Sequence, residues 1–291
     1  MAVPFKQVDV FTTTPFKGNP VAVVMDARGL STEQMQAIAR WTNLSETTFV
    51  LPATNPAADY QVRIFTPGSE LPFAGHPTIG TAYALIEAGV IAPKNGCLTQ
   101  ECGAGLVALT VEPTADGNLS ISFELPEPAI TPLIEAQTQA LESILGCAID
   151  KDFTPALVDV GARWIVAQVK DAQSVLSTMP DYEALREHDR NLGITGVCIY
   201  GRYTPDSDAH IEVRSFAPAC GVNEDPVCGS GNGSVAAFMH HHSICVTEEP
   251  LIRSSQGKIL GRKGELTLKL AGGKIYVGGC AVTCISGTLN Y

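Results

Sequence analysis

The chain has 291 residues, of which 45% are hydrophobic and 17% charged, and its formal net charge is −11. This length and composition are sufficient for two globular domains and argue against disorder. Because no run of Lys or Arg is longer than a pair, nucleic acid and anionic membrane surfaces are poor partners, whereas a local site can still bind a small anionic substrate.

Targeting features favour the cytoplasm. Residues 1–7 contain no basic segment followed by an apolar stretch, and no apolar run approaches the ~20 residues that span a bilayer. The nine cysteines are an odd number without paired spacings, which is typical of reduced thiols. We therefore expect a soluble, cytoplasmic protein that does not associate with membranes.

In chain order, the first half reads as a strand, a helix, a strand, a glycine-containing turn, a second helix and a closing hairpin. The predicted ranges are Val21–Met25, Ser31–Trp41, Thr47–Leu51, Thr78–Ala88, Leu106–Glu112 and Leu119–Glu124. The second half repeats this order. Its predicted ranges are Trp164–Val169, Pro180–His188, Gly196–Gly201, Gly233–His242, Glu265–Leu270 and Lys274–Gly278.

Matching residue blocks support an internal duplication. Residues 70–77 align with residues 224–231 at an offset of 154, and Glu, Pro and Gly coincide. Upstream, residues 63–67 and residues 214–218 share the pattern Arg-x-Phe-x-Pro. Three prolines within Pro126–Pro132 indicate a linker. We therefore expect an N-terminal half at 1–128 and a C-terminal half at 129–291, and we leave open a return of the last strand to the first half.

Each half contains a glycine-containing turn that leads into a helix. The turns are Gly75-His76-Pro77-Thr78 and Gly229-Ser230-Gly231-Asn232-Gly233. Glycine permits close approach of a ligand to the backbone, and the free N–H groups at a helix start attract a carboxylate or phosphate. A turn with no ligand role is the plain alternative for either segment alone. The duplication favours two helices that superpose and direct their N-termini toward one cleft.

Three titratable residues lie near these turns, namely Glu46, His76 and Asp225. A carboxyl group flanked by apolar segments can have a raised pKa and act as an acid or base near neutral pH. A solvated loop carboxylate and a helix-capping histidine are the alternatives for Glu46 and His76. The repeat places Thr195 or Gly196 opposite Glu46, and Ser230 opposite His76, so the two halves carry different chemistry.

Four sequence blocks, spread in order over nearly the whole chain, resemble the signature blocks of the phenazine-biosynthesis (PhzF-like) family. These blocks are Gly18-Asn19-Pro20-Val21-Ala22-Val23, Ser45-Glu46-Thr47-Thr48-Phe49, Phe73-Ala74-Gly75-His76-Pro77-Thr78 and Glu224-Asp225-Pro226-x-x-Gly229-Ser230. The resemblance implies an α+β fold of the diaminopimelate epimerase type, with duplicated domains that each wrap a curved mixed sheet around a central helix. It places the active site in the cleft between the two domains.

The resemblance also implies roles for individual residues. Glu46 would be the acid/base that moves a substrate proton, and His76 and Asp225 would contact polar groups of the substrate. The remaining residues assigned to substrate binding are Gly75, Ser230, Gly229, Gly231 and Asn19. The related epimerases use two opposed cysteine bases, and this chain has Ala74 and Cys228 at those positions. Two-thiol racemisation is therefore not expected, and Cys228 reads as a small packed residue.

No metal or organic cofactor is expected. The run His240-His241-His242 cannot converge on one ion because consecutive helical side chains point about 100° apart. The pairs Cys97/Cys102 and Cys280/Cys284 lack the spacing of a zinc knuckle, and no dinucleotide or phosphate-loop motif is present.

The sequence therefore predicts a cofactor-independent isomerase that relocates a proton in a small carboxylate-bearing substrate. We also expect a homodimer. Two alternatives remain open at this level. One is an epimerase, racemase or dehydratase for amino or hydroxy acids on the same fold, and the other is a catalytically silent binding or partner protein.

Overall fold

The computed structural model describes residues 2–291, which form strands β1–β17 and helices α1–α6, numbered in chain order. The strands of the first part of the chain are Ala2–Val10, Asn19–Val24, Glu46–Leu51, Tyr60–Phe65, Glu70–Leu71, Cys97–Cys102, Gly105–Pro113 and Leu119–Glu124 (β1–β8). The later strands are Ala129–Pro132, Ala156–Asp159, Arg163–Gln168, Gly196–Arg202, Ile211–Ala217, Val222–Asp225, Leu251–Gln256, Gly264–Ala271 and Lys274–Asn290 (β9–β17). The helices are Thr32–Thr42, Gly75–Glu87, Glu135–Leu145, Ala172–Ser177, Tyr182–Leu192 and Gly229–His241 (α1–α6).

The chain divides into two compact units. The first unit runs to Glu124 and also includes Gly278–Tyr291, and the second unit is Leu125–Val277. The division thus lies four residues before the boundary predicted after residue 128, and the end of the chain belongs to the first unit. Strand β17 does not end at Gly278, as the hairpin pattern predicted, but continues to Asn290.

The proline-rich segment that we predicted as a linker contains a strand. β9 pairs antiparallel with β10, with Pro132 opposite Ala156 and Ala129 opposite Asp159. The linker prediction was therefore wrong for Ala129–Pro132. Proline lacks an N–H donor but is tolerated at the ends and edges of sheets, where its nitrogen faces no partner strand.

The sheet of the first unit closes on itself. β1 pairs antiparallel with β2, β2 parallel with β3, β3 antiparallel with β4, β4 parallel with β6, and β6 and β8 flank β7 in antiparallel fashion. β17 then pairs with both β8 and β1, which completes the ring. The short strand β5 pairs antiparallel with β4.

The second unit repeats this topology strand for strand. β10 pairs antiparallel with β11, β11 parallel with β12, β12 antiparallel with β13, β13 antiparallel with β14, β13 parallel with β15, and β15 antiparallel with β16. These six pairings match β1–β2 through β6–β7 in order and in direction. The duplication and the mixed-sheet α+β class predicted from the sequence are therefore confirmed.

One helix lies inside the sheet of each unit. α2 packs against β1, β2, β3 and β8, and α6 packs against β10, β11, β12 and β16. Both have 13 residues, and their bounds differ by the predicted offset of 154. α2 begins three residues and α6 four residues before the predicted start, so the turn glycines Gly75 and Gly229 are the first helical residues. Because strands surround each of these helices, some helical positions have room only for a small residue. A Cβ added at Gly80, for example, would lie 2.4 Å from Cγ1 of Val21.

An Arg–Glu pair holds the strand before the central helix in each unit. In the first unit, Arg63 on β4 donates two hydrogen bonds to Glu70 on β5, at 2.7 and 2.6 Å. In the second unit, Arg214 on β13 donates two to Glu224 on β14, at 2.8 and 2.7 Å. The side chains of the second pair are only 4% exposed, compared with 27% and 39% for the first. Arg214 also donates to the backbone carbonyl of Thr178 at 2.6 Å.

We expect these matched pairs to differ in their contribution to stability. Arg214→Met leaves the carboxylate of Glu224 buried without its partner, which costs about 3–5 kcal/mol. Arg63→Met breaks a pair that water can reach and should cost about 0–1 kcal/mol. Urea midpoints of the two variants measure the difference, and equal shifts would contradict this interpretation.

Candidate active site

The end of α1 and the start of β3 place Glu46. The helix begins at a capping box formed by Ser31 and Gln34 and ends at Asn43, whose left-handed backbone (φ 53°) turns the chain back toward the sheet. Thr42 and Thr47 then join helix and strand through a hydroxyl–hydroxyl hydrogen bond of 2.8 Å. Glu46 is therefore the first residue of an internal strand, and the solvated-loop alternative does not describe it.

The first turn of α2 places His76. Its N-cap is Ala74, which offers no side-chain hydrogen bond, and Pro77 has no N–H group. The N–H groups of Gly75 and His76 therefore have no acceptor within the helix. Thr81 of α2 donates to Thr48 of β3 at 2.8 Å, which fixes the helix against the strand that carries Glu46. The ring of His76 is buried in the first turn and does not cap the helix.

Glu46 and His76 meet directly. Nε2 of His76 lies 3.3 Å from Oε2 of Glu46, and the two side chains are 7% and 16% exposed. Burial lowers the pKa of His76 to about 3, and a hydrogen bond to the backbone of Pro20 opposes this shift only in part. A neutral imidazole that donates to Pro20 presents a lone pair on its other nitrogen. Nε2 of the neutral His76 therefore faces the carboxyl group of Glu46 as a potential hydrogen-bond acceptor.

The second unit has no base at the position equivalent to Glu46. In the first unit Glu46 pairs with Val21, and in the second unit Gly196 pairs with Trp164 in the same parallel register. A Cβ at position 196 would lie 1.9 Å from the carbonyl oxygen of Phe216. Close approach of two backbones therefore excludes any side chain there, and the counterpart of Glu46 is Gly196.

Asp225 lies at the end of β14, just before α6. Burial raises the pKa of Asp225 to about 6, helped by repulsion from Glu224 and opposed by hydrogen bonds from the N–H of Val227 and the thiol of Cys228. Its carboxyl group therefore changes charge near neutral pH. This places it among the groups that can serve as an acid, a base or a switchable hydrogen-bond donor.

Gln256 clamps the segment that carries Asp225. Its amide nitrogen donates to the carbonyl of Asp225 at 2.9 Å, and its oxygen accepts from the N–H of Cys228 at 3.1 Å and from Asn232 at 2.7 Å. Gln256 is fully buried, and both its amide oxygen and its amide nitrogen are hydrogen-bonded. Sequence reasoning did not find this residue, because only the fold brings the end of β15 against the start of α6.

Cys228 caps α6. Its sulfur accepts from the N–H of Gly231 at 3.2 Å, and burial raises its thiol pKa well above the usual value. The prediction of a small packed residue agrees with this environment, since Cys228 is only 5% exposed. The N–H of Gly231 is occupied by this contact, so Gly231 supports the turn, and the helix start offers the N–H groups of Gly229 and Ser230. Ser230 also accepts a hydrogen bond of 3.0 Å from the indole N–H of Trp164.

The other predicted residues are distributed as follows. Asn19 is fully buried and begins β2. His240, His241 and His242 lie at the far end of α6, where His242 packs on Phe238.

Among residues 2–291, no group of three or more His, Cys, Asp or Glu side chains is arranged to hold a metal ion. Within the same residues, no helix has the length and apolar character needed to cross a bilayer.

The fold and the residues at the two helix starts define the class of protein, a duplicated epimerase-like α+β enzyme. The family described as phenazine biosynthesis-like protein (PhzC-PhzF) matches residues 8–287 of the chain. The crystal structure of the Bacillus anthracis phenazine biosynthesis protein of the PhzF family superposes with a TM-score of 0.88 at 26% identity and covers 100% of both chains. The chain belongs to the phenazine biosynthesis-like family.

Two curated relatives extend this comparison. The chain is 44% identical to "Antisense-enhancing sequence 1" of Schizosaccharomyces pombe and 34% identical to the trans-2,3-dihydro-3-hydroxyanthranilate isomerase of Pseudomonas fluorescens. Each alignment covers 97% of this chain and 97% of the relative. By its family the chain is an isomerase.

The buried His76 generates a prediction for the pH dependence of stability. Between about pH 6.5 and pH 3 the unfolded chain binds a proton at this histidine and the folded chain does not, so stability falls as the pH falls. His76→Asn should remove this contribution, which is up to about 1.4 kcal/mol per pH unit. His240→Asn is the matched control, because its ring is exposed to water in the folded chain too. Urea midpoints between pH 4 and pH 8 measure both slopes, and a wild-type slope in His76→Asn would contradict the prediction.

The cap at Cys228 generates a prediction for substitution and labelling. Cys228→Ser retains an acceptor for Gly231 and a donor for Asp225, so we expect it to fold and function normally. Cys228→Ala removes both and should cost ~1 kcal/mol of stability. In the wild type, a thiol reagent should modify the exposed thiols of Cys97, Cys220 and Cys245 well before Cys228. Early modification of Cys228, followed by peptide mass spectrometry, would contradict a buried, protonated thiol.

Proposed function

We propose that the protein relocates a proton within a small, unsaturated, carboxylate-bearing substrate, with Glu46 as the general acid/base. The observation that carries this proposal is the Glu46–His76 contact of 3.3 Å together with the absence of room for a second base at Gly196. One carboxyl group in a buried setting suits a reaction in which a proton leaves one carbon and returns to another.

The proposed reaction conserves atoms and electrons. Glu46, as the carboxylate, accepts a proton from a substrate carbon while the electrons of that C–H bond enter the adjoining π system. The resulting carboxylic acid then returns the proton to a different carbon of the same π system, and the double bond moves. His76 is proposed to support the acid form of Glu46, because its neutral Nε2 can accept a hydrogen bond from the carboxylic acid.

The substrate carboxylate is proposed to bind at helix starts. Gly75 and His76 in one unit, and Gly229 and Ser230 in the other, each offer two backbone N–H groups without acceptors inside the helix. Such N–H groups and the helix dipole together stabilise a negative charge. Asp225, which titrates near pH 6, is proposed to bind a polar group such as an amine or hydroxyl. Asn19 is proposed to support this binding from the start of β2.

Two-base epimerisation is the rival reaction on this fold. It requires an acid and a base on opposite faces of one carbon. Cys228 is protonated, buried and engaged in its cap, and its partner position is Ala74, so one thiol of that mechanism is missing and the other is not available as a base. This observation favours proton relocation by a single group over epimerisation.

A candidate substrate follows from the named relative. The Pseudomonas fluorescens protein at 34% identity is a trans-2,3-dihydro-3-hydroxyanthranilate isomerase. We propose this compound, or a similarly small unsaturated carboxylate with an amino or hydroxyl substituent, as the first substrate to test. The amino or hydroxyl substituent matches the polar group that Asp225 would bind.

Glu46→Gln tests the proposal. The amide retains the size of the side chain but cannot carry the proton, so turnover should fall at least 10²–10⁴-fold, the usual contribution of general acid–base catalysis. Stability should change little. Glu33→Gln, on the exposed first turn of α1, is the control and should retain full activity. Asp225→Asn should raise KM as well as lower kcat, because its proposed role is to bind and polarise the substrate.

Deuterium incorporation separates the rival reactions. In deuterated water, deuterium that exchanges onto Glu46 during single-base relocation enters at the carbon that receives the proton, and without exchange no label enters, whereas epimerisation places label at the carbon that lost the proton. Near-normal turnover of Glu46→Gln would transfer the acid/base role to His76. Thermal stabilisation by the candidate substrate without any turnover would instead favour the silent binding protein.

A further inference from the structure

Trp164 makes a contact that the proposed reaction does not use. It is the second residue of β11, it is 2% exposed, and its indole N–H donates to Oγ of Ser230 at 3.0 Å. An indole N–H can only donate, so Oγ is the acceptor in this bond. The hydroxyl proton of Ser230 is therefore directed elsewhere. Sγ of Cys228, at 3.6 Å from Oγ, is a weak partner for it.

The duplication explains why a tryptophan is at this position. Trp164 pairs with Gly196, as Val21 pairs with Glu46, and Ser230 is the second residue of α6, as His76 is of α2. In the first unit the contact to the second helical residue comes from the carboxyl group of Glu46. In the second unit Gly196 has no side chain, and the contact comes from Trp164 on the neighbouring strand. A contact between carboxyl group and imidazole in one unit thus corresponds to a hydrogen bond from indole to hydroxyl in the other.

We propose that Trp164 is a positioning residue that makes Ser230 a hydrogen-bond donor toward a carboxylate. The indole N–H occupies a lone pair of Oγ, so the hydroxyl proton and the backbone N–H of Ser230 are both available to one ligand carboxylate. The proposal rests on the carboxylate site of the proposed function. It adds that anion binding at the start of α6 depends on Trp164 of β11, an uncharged residue that acts through Ser230.

Binding of a carboxylate that cannot react tests this role. The probe is cyclohexanecarboxylate, and its Kd is measured by isothermal titration calorimetry on the full chain. Trp164→Phe keeps an aromatic ring and removes the N–H, and its Kd should rise about two- to tenfold, the usual effect of one hydrogen bond. Ser230→Ala should raise Kd at least as much, and the double variant should bind no more weakly than Ser230→Ala, because both changes remove one coupled interaction.

Fluorescence gives a second readout that leaves Trp164 intact. The chain has two tryptophans, and the other, Trp41, is 76% exposed on the last turn of α1. Trp41→Phe should bind the probe with unchanged affinity, which makes it the matched control and leaves Trp164 as the only indole. Saturating cyclohexanecarboxylate should then shift the emission of Trp164, and Ser230→Ala in this background should abolish the shift.

Three results would overturn the inference. The first is a wild-type Kd for the probe in a folded Trp164→Phe variant. The second is a double variant whose loss of affinity is the product of the two single losses. The third is a Trp164 emission that does not change when the probe is saturating. A lower melting temperature with unchanged Kd counts among them, because it indicates packing alone. Turnover tests the proposed function separately. A wild type that binds the probe as described but turns over no candidate substrate would refute the proposed function and leave the role of Trp164 intact.

Discussion

Enclosure of a helix by a sheet is the constraint on which the rest of this structure depends. A helix with strands around it has no solvent face, so its residues must be apolar or small enough to accept strand side chains at short range. Gly80 and Gly233 satisfy this condition, since an added Cβ would lie 2.4 Å from Val21 and 2.6 Å from Leu125, respectively. The polar groups of such a helix are concentrated at its ends, and its first N–H groups, which have no acceptor inside the helix, are where we propose that an anion binds.

The two units have the same topology, but single residues at equivalent positions differ in their chemistry. The same register that holds Glu46 against His76 in the first unit holds Gly196 in the second, where the carbonyl of Phe216 leaves no space for a side chain. Trp164 occupies the neighbouring strand position and contacts the helix instead. This difference between the units is the basis of our proposal that one unit carries the proton-transfer group and the other a set of hydrogen-bond donors.

Burial determines the charge states of these groups more than the acidic composition of the chain does. It lowers the pKa of His76 and raises those of Asp225 and Cys228, in each case because the charged form loses solvation. Two sets of buried hydrogen bonds support the segment that carries Asp225 and Cys228. Gln256 fixes both ends of the segment from Asp225 to Cys228, and the buried Arg214–Glu224 pair holds the strand just before it. A charge or donor left unpaired in such a setting would be costly.

The sequence by itself determined the duplication, the order of the elements and the residues at both helix starts, because hydrophobic periodicity and glycine-containing turns are local signals that recur at one offset. The repeated Arg-x-Phe-x-Pro pattern, followed by Glu70 in the first half and Glu224 in the second, also indicates the two Arg–Glu pairs. Only the tertiary structure decided the strand at Ala129–Pro132, the extent of β17, the contact between Glu46 and His76, and the hydrogen bonds of Gln256 and Trp164. Each of these joins residues far apart in the chain. Their meeting is set by strand register and close backbone packing, which no local pattern of residues encodes.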